Sequence, residues 1–159
     1  MSSLNKKPIL SILNLILFMA VVYVNMLAVT LPINGKSTGE LSDQYPNLFV
    51  PAGFTFSIWG VIYLLLLVFV VYQIWVSFNK KTVQKLTVQS QILFGITNLL
   101  NIRWILAWQY EMVTLSVLIM IAFLLTLIGL FLNNEKTQYK SLVEKIAIET
   151  PINIYLGWI

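Results

Sequence analysis

The stretch Val61-Ile-Tyr-Leu-Leu-Leu-Leu-Val-Phe-Val-Val71 decides the fold class, because every side chain in it is apolar or aromatic. It lies inside an interval from Gln44 to Asn79 that contains no Asp, Glu, Lys or Arg. A helix needs about 20 consecutive, mostly apolar residues to cross the hydrocarbon core of a bilayer. The interval is long enough, so we predict a membrane-spanning helix over residues 54–78.

Two further charge-free intervals, residues 8–35 and 112–133, repeat this pattern and predict spans over residues 9–31 and 112–132. The whole chain is 58% hydrophobic and only 10% charged. A soluble domain carries about 25% charged residues, so this chain cannot cover a water-facing surface of ordinary polarity. The composition excludes an ordinary soluble fold and a disordered chain.

The two remaining apolar segments are less regular. Residues 89–110 are long enough for a span although they contain Arg103; the alternative is a buried or surface helix. Residues 146–159 would form a helix of only about 21 Å. We interpret them as a fifth span cut short, with a re-entrant or interfacial segment as the alternative. The sequence therefore predicts an all-α integral membrane protein, a five-helix transmembrane bundle in a single domain over residues 1–159.

The positions of the lysines predict the orientation of this bundle. Eight lysines lie within residues 6–7, 80–85 and 136–145, which all fall on one side of the predicted bundle. Lys36 is the lysine on the other side. Because cytoplasmic loops are enriched in Lys and Arg, we predict a cytoplasmic N-terminus and an outer first loop, in a prokaryotic plasma membrane. The net charge of +4 is then a topological signal, and we expect no nucleic-acid partner.

The residue types that are missing limit the chemistry. The chain contains no cysteine and no histidine, which excludes a disulfide, a Cys/His metal site and a His-based catalytic triad. No pair of carboxylates lies within a predicted span, and neither Ser57 nor Ser116 has a visible base. We therefore expect no metal site and no catalytic residues, and we predict that the protein is not an enzyme.

The first outer loop, residues 32–53, differs in composition from the rest of the chain. It holds three of the five prolines and three of the seven glycines, which break regular structure. Connections in helical bundles usually have about 2–8 residues, and longer ones are often functional. We interpret this loop as a lid over the bundle; a solvated linker is the alternative.

Polar and aromatic side chains recur at helical spacing inside the predicted spans. Polar groups are costly in hydrocarbon and usually face other helices or a cavity. An inward face of amides and rings could bind a flat apolar molecule; the alternative is that the amides join helices and the rings anchor the interface. The residues concerned are Asn14 and Asn25 on the first span, Phe56, Trp59 and Tyr63 on the second, and Gln91, Thr97, Asn98, Asn101, Trp104 and Trp108 on the third.

Three motifs in this order resemble the tryptophan-rich sensory protein/translocator protein (TspO/MBR) family. They read Pro51-Ala-Gly-Phe-Thr-Phe-Ser-Ile-Trp59-Gly-Val-Ile-Tyr63, Asn101-Ile-Arg-Trp104 and Pro151-Ile-Asn-Ile-Tyr155-Leu-Gly-Trp158. The chain departs from the family pattern in lacking one proline of the first motif and in having Ile105, where a serine is usual. These departures indicate a divergent member, which we expect to be truncated in the fifth helix.

The resemblance implies a five-helix bundle, often a homodimer, with a pocket beneath the first loop. Family members are associated with porphyrins and other tetrapyrroles, with sterols in some lineages, and with stress or regulatory signalling. Since the chain has no His or Cys, strong axial ligation of a haem iron is unavailable. A metal-free porphyrin, held by ring stacking and amide hydrogen bonds, fits these residues better than a ligated haem.

We therefore predict a non-enzymatic membrane receptor or sensor for a flat hydrophobic ligand such as a tetrapyrrole. Its expected partners are the bilayer, the small hydrophobic ligand and a second copy of the chain, and no cofactor is obligatory. A transporter of small hydrophobic molecules is the alternative, and a tetrapyrrole-modifying enzyme is less favoured. The predicted ligand-binding residues are Trp59, Tyr63, Asn101 and Trp104 in the pocket, Trp158 closing it and Pro51 at the hinge of the lid.

Overall fold

The computed structural model describes residues 3–30, 33–45, 53–79, 87–136 and 141–159, and the regular elements in these ranges are all helical. The all-α prediction is therefore confirmed for the described residues. Short 3₁₀ turns occupy Ile33–Gly35 and Gly53–Ser57, and a π-helical turn at Lys145–Glu149 joins the last two helices. The helices are α1 Ser3–Thr30, α2 Thr38–Asp43, α3 Ile58–Phe78, α4 Val88–Gln109, α5 Val113–Glu135, α6 Leu142–Glu144 and α7 Thr150–Trp158.

Three helices in the described part of the chain, α1, α3 and α5, are long and apolar enough to cross a membrane. Helix α4 has 22 residues, but its buried amides and Arg103 make it more polar. Large apolar side chains point outward from the three apolar helices; Ile16, Leu64 and Leu125 are each at least 60% exposed. Such a surface suits hydrocarbon. A crossing by α4 and by the segment from α6 to α7, which would complete the five spans, stays a prediction.

A packed core fills the middle of the bundle. Helix α4 packs against α1 and α5, while α3 packs against α1 and α7. At the centre the rings of Phe69 and Phe94 meet edge to face with their centroids 4.8 Å apart. Around them lie fully or almost fully buried apolar side chains from four helices, α1, α3, α5 and α7, and from the π turn. They are Phe18, Ile62, Leu66, Val70, Val76, Phe123, Leu127, Leu130, Ile148 and Ile152.

A buried polar cluster joins α1, α3 and α4 at the end of the bundle that contains the N-terminus. The Asn14 amide nitrogen donates to Gln73 Oε1 at 3.0 Å and to the Gln91 carbonyl at 2.9 Å. The Gln91 amide nitrogen donates to Ser11 Oγ at 2.6 Å and to Ser77 Oγ at 3.3 Å. Burial of these groups in hydrocarbon requires such partners, so the cluster fixes the register of three helices.

A second polar contact ties the start of α4 to the end of α5. The Thr87 hydroxyl caps α4 by accepting from the Ser90 backbone N–H at 2.9 Å. Asn133 Nδ2 donates to the hydroxyls of Thr87 and Ser90, and Ser90 donates to Asn134 Oδ1 at 2.7 Å. At the opposite end α5 begins four residues after α4 ends, through a turn in which Glu111 has a φ of 57°. The two helices therefore form a tight antiparallel pair.

A candidate ligand cavity beneath the first loop

The first loop contains a helix, α2, that the sequence interpretation did not predict. Ser37 forms a capping box with Glu40: the Ser37 backbone N–H donates to Glu40 Oε2 at 2.6 Å, and the Glu40 backbone N–H donates to Ser37 Oγ at 3.3 Å. The hydrogen bond from the Ser37 backbone N–H to the Glu40 carboxylate, and after it one from the Ser37 side chain, hold the pKa of the Glu40 carboxyl below its usual value. The apolar side of the helix is anchored by Leu41, which is fully buried.

Hydrogen bonds fasten this segment to the ends of α1 and α4. The Gln109 amide nitrogen donates to the Ala28 carbonyl at 2.9 Å, and Asn34 Nδ2 donates to the Gln109 carbonyl at 3.2 Å. Lys36 Nζ forms an ion pair with Glu111 Oε1 at 2.8 Å, across the turn between α4 and α5. The described part of the first loop is thus held over one end of the bundle, as a lid would be.

A cavity of about 530 Å³ lies between this lid and the helices. Ligand pockets for drug-sized molecules have volumes of about 300–1,000 Å³, so the cavity is large enough for a small organic ligand. Its walls come from the second half of α1, the first half of α3, the second half of α4 and the lid. The lining residues are Val22, Asn25, Met26, Val29, Ser37, Thr38, Gly39, Ser42, Asp43, Trp59, Tyr63, Trp104 and Ile105.

Stacked aromatic rings form one wall of the cavity. The Trp59 ring lies between those of Tyr63, one turn later on α3, and Trp104 on α4, with centroid distances of 5.6 Å and 5.9 Å. The planes of the Tyr63 and Trp104 rings are inclined to the Trp59 plane by 29° and 27°, so each of the two pairs is stacked. Behind them Tyr155 and Trp158 of α7 meet the Trp59 ring edge to face at 6.1 Å and 6.2 Å. The wall offers broad, supported π-faces to a ligand.

A chain of hydrogen bonds supports this wall from behind. Asn25, which lines the cavity, donates to Asn101 Oδ1 at 2.8 Å, and Asn101 Nδ2 donates to the Tyr155 hydroxyl at 2.9 Å. Asn101 is fully buried and lies behind the lining residues. The buried Tyr63 hydroxyl lies close to Asn101 but has no partner at hydrogen-bond geometry among the described residues.

The structure brings five of the six predicted site residues together at this cavity. Trp59, Tyr63 and Trp104 line it, while Asn101 and Trp158 lie behind the aromatic wall. Pro51 lies outside the described residues. The sequence interpretation put Asn25 on an inward polar face but not among the six site residues. Tyr155, which belongs to the third motif, was not among them either. It also missed the lid residues that line the cavity, Thr38, Ser42 and Asp43 among them.

Comparison with known families agrees with the resemblance seen in the motifs. A family model described as TSPO-like protein matches residues 11–159. This chain belongs to the TSPO-like protein family. Comparisons with curated proteins and with solved structures give no match. Membership in the TSPO-like family, together with the three apolar helices, identifies an integral membrane protein of a generally non-enzymatic class of membrane sensors and binding proteins.

Arg103 of this TSPO-like protein lies outside the cavity. Its side chain is exposed and borders a shallow groove between α4 and α5, which is lined by Leu106, Ala107, Tyr110, Met112, Leu115 and Ile119. Arg103 therefore points away from the face of α4 that carries Asn101 and Trp104. The carboxylate of Glu111, in the turn after α4, pairs with Lys36.

Proposed function

We propose that this TSPO-like protein is a membrane receptor or sensor that binds a flat, largely apolar molecule, such as a metal-free porphyrin, in the cavity beneath α2. The observation that carries the proposal is the aromatic wall, in which Trp59 stacks on Tyr63 and on Trp104, along a cavity of about 530 Å³. Aromatic faces bind a flat ring system by offset stacking.

The side chains around the cavity favour a metal-free ring over a ligated haem. No His or Cys occurs in the chain, and among the lining residues only Met26 and Tyr63 carry an atom of a type that ligates haem iron. Stacking on the aromatic wall needs no metal. The ligand class that these residues support best is therefore a neutral ring system, as in a porphyrin without iron.

The packing below the cavity supports a receptor rather than a transporter. The hydrogen-bonded chain from Asn25 through Asn101 to Tyr155 crosses the bundle below the aromatic wall. Beyond it, Leu66 and Phe69 are fully buried in the core. A transporter must open a path through these layers, whereas a receptor needs only the cavity and its lid. Protein-dependent flux of a porphyrin into sealed vesicles would favour the transporter, and turnover of excess porphyrin in the dark would favour an enzyme.

The proposal includes the orientation and assembly implied by the sequence. The cavity lies at the end of the bundle opposite the N-terminus of α1, so a cytoplasmic N-terminus puts the lid on the outer side. A homodimer is the assembly that the family resemblance favours. Protease accessibility of the lid in vesicles measures the orientation, and cross-linking measures the assembly. Both measurements are independent of ligand binding.

Replacing Trp104 by alanine tests the site directly. We expect a porphyrin dimethyl ester, which is flat and uncharged, to quench the tryptophan fluorescence of the wild-type protein saturably. Trp104→Ala removes one of the three stacked rings, and a stacked aromatic pair contributes about 1 kcal/mol. We therefore expect the dissociation constant of the variant for the porphyrin diester to be about five- to tenfold higher than that of the wild type. The affinities of the variants are measured from the absorbance change of the porphyrin.

Trp75→Ala is the matched control, because Trp75 is an exposed tryptophan on α3 outside the cavity lining. We expect its affinity to equal that of the wild type. Equal affinities for Trp104→Ala and the wild type would contradict the assignment of the site, and a diester that does not bind the wild type would contradict the proposed function itself.

A further inference from the structure

The described lining of the cavity contains one charged residue, Asp43 at the end of α2, which is exposed to water. Its polar neighbours in the lid are the hydroxyl-bearing residues Ser37, Thr38 and Ser42. The other lining residues are apolar, aromatic or glycine, apart from Asn25. The polar rim of the cavity is therefore acidic on one side and otherwise uncharged.

Lys36, at the start of the lid, and Arg103, in the second half of α4, both lie outside the cavity lining. Lys36 Nζ forms an ion pair with Glu111 Oε1 at 2.8 Å and donates a hydrogen bond to Gln44 Oε1 at 3.1 Å. Lys36 is not among the lining residues. Arg103 borders the groove between α4 and α5. Residues 44–52, which follow α2 in the chain, contain no Lys or Arg. Among the described residues, no cation is placed to receive an anionic group of a ligand in the cavity.

We propose that Asp43 sets the charge preference of the site, so that it accepts flat ligands that are neutral or carry an amine and disfavours those that carry carboxylates. This inference rests on the proposed function. A ligand carboxylate at the lid would face Asp43 without a compensating cation, and like charges that face each other across an interface oppose binding. An ammonium group would instead find a carboxylate and hydroxyl oxygens as acceptors.

Three metal-free porphyrins that share one ring system test this preference. The first carries two free carboxylates, the second is its dimethyl ester and the third is a diamide with two primary amines. We expect the dicarboxylate to bind the wild-type protein about fivefold more weakly than the diester, and the diamine to bind at least as tightly as the diester. Titrations use nanodiscs of zwitterionic lipid at pH 7.5, with empty nanodiscs subtracted.

Asp43→Asn removes the charge while keeping the shape of the side chain. In this variant we expect the dicarboxylate and the diester to bind within about twofold of each other. Glu40→Gln is the charge-matched control, because Glu40 belongs to the same helix, is not among the lining residues, and glutamine also forms a capping box. We expect Glu40→Gln to bind the dicarboxylate more weakly than the diester, by the same factor as the wild type. High salt should reduce the discrimination of the wild type, because the site is open to water and its charges are screened.

The outcomes test the charge preference and the proposed function separately. If the diester binds and the dicarboxylate binds as tightly or more tightly, the charge preference is wrong while the proposed function stands. If Asp43→Asn discriminates like the wild type, Asp43 does not set the preference. If none of the three porphyrins binds above the empty-nanodisc background, the proposed function is wrong, and the charge preference is overturned with it.

Discussion

Replacing Trp59 by alanine should raise the dissociation constant for a porphyrin diester about 30-fold, the largest effect on binding that we expect from a single substitution. Residues of this kind, aromatic and central to a desolvated site, cost about 2 kcal/mol or more when truncated. Trp59 stacks on Tyr63 and Trp104 and is supported at its edges by Tyr155 and Trp158. Its removal takes away a contact surface and also leaves the neighbouring rings unsupported.

Trp59→Phe is the conservative counterpart, because it retains a ring on the same turn of α3. We expect its affinity to lie between that of the wild type and that of the alanine variant. Porphyrin absorbance gives both affinities, and circular dichroism checks that the helices are intact. An alanine variant that folds and binds like the wild type would place the ligand away from the aromatic wall.

The largest expected effect on stability comes from replacing Gly95, in the half of α4 that is farther from the lid. Gly95→Leu should lower the free energy of unfolding by about 3 kcal/mol, since overpacking a tight site costs about 1–3 kcal/mol and a broken buried hydrogen bond adds to it. A Cβ atom at Gly95 would lie 2.9 Å from Asn14 Oδ1. Asn14 cannot move away freely, because its amide nitrogen donates hydrogen bonds to Gln73 Oε1 and to the Gln91 carbonyl.

Gly60→Leu is the matched control for this substitution. Gly60 also lies in a long helix, α3, but a Cβ atom there would meet no atom within 4 Å. Unfolding in mixed micelles of increasing denaturing-detergent fraction compares the two variants with the wild type. A Gly95→Leu protein as stable as Gly60→Leu would show that α1 and α4 do not approach each other closely at this point.

The apolar helices could be predicted from the sequence because their signal is local. The charge-free intervals around Phe18, Leu66 and Phe123 place α1, α3 and α5, since a long run without charge can hardly be anything but a buried or lipid-facing helix. Helix α4 was harder to assign, because its inward face carries Gln91 and Asn101. Their polarity lowers its mean hydropathy, and their partners lie on other helices.

The aromatic wall was also predictable, whereas the lid was not. Trp59 and Tyr63 are four residues apart, so helical spacing alone puts them on one face. The position of Asp43 at the cavity depends on α2, which is only one and a half turns long. Its signal was present in the capping-box pattern Ser37-Thr-Gly-Glu40, but a short capped helix in a loop rich in Pro and Gly acquires its place only from tertiary contacts.

Asn101 illustrates what a helical wheel cannot resolve. The wheel places it on the inward face together with Trp104, and the sequence therefore suggests two lining residues. In the structure the Asn101 amide is fully buried between Asn25 and Tyr155, while Trp104 reaches the cavity. Which inward residue touches a ligand and which supports the wall depends on the partners across the bundle, and these come from two other helices.

Cysteine protection at the lid tests the central claim most directly. The chain has no cysteine of its own, so Ser42→Cys introduces a single thiol at a residue that lines the cavity. Leu142→Cys, at a residue that is 73% exposed and is not among the lining residues, serves as the control. We predict that a saturating porphyrin diester slows maleimide labelling of Ser42→Cys and leaves that of Leu142→Cys unchanged. Unchanged labelling of Ser42→Cys, at diester concentrations that fully quench tryptophan fluorescence, would contradict binding in the cavity beneath α2.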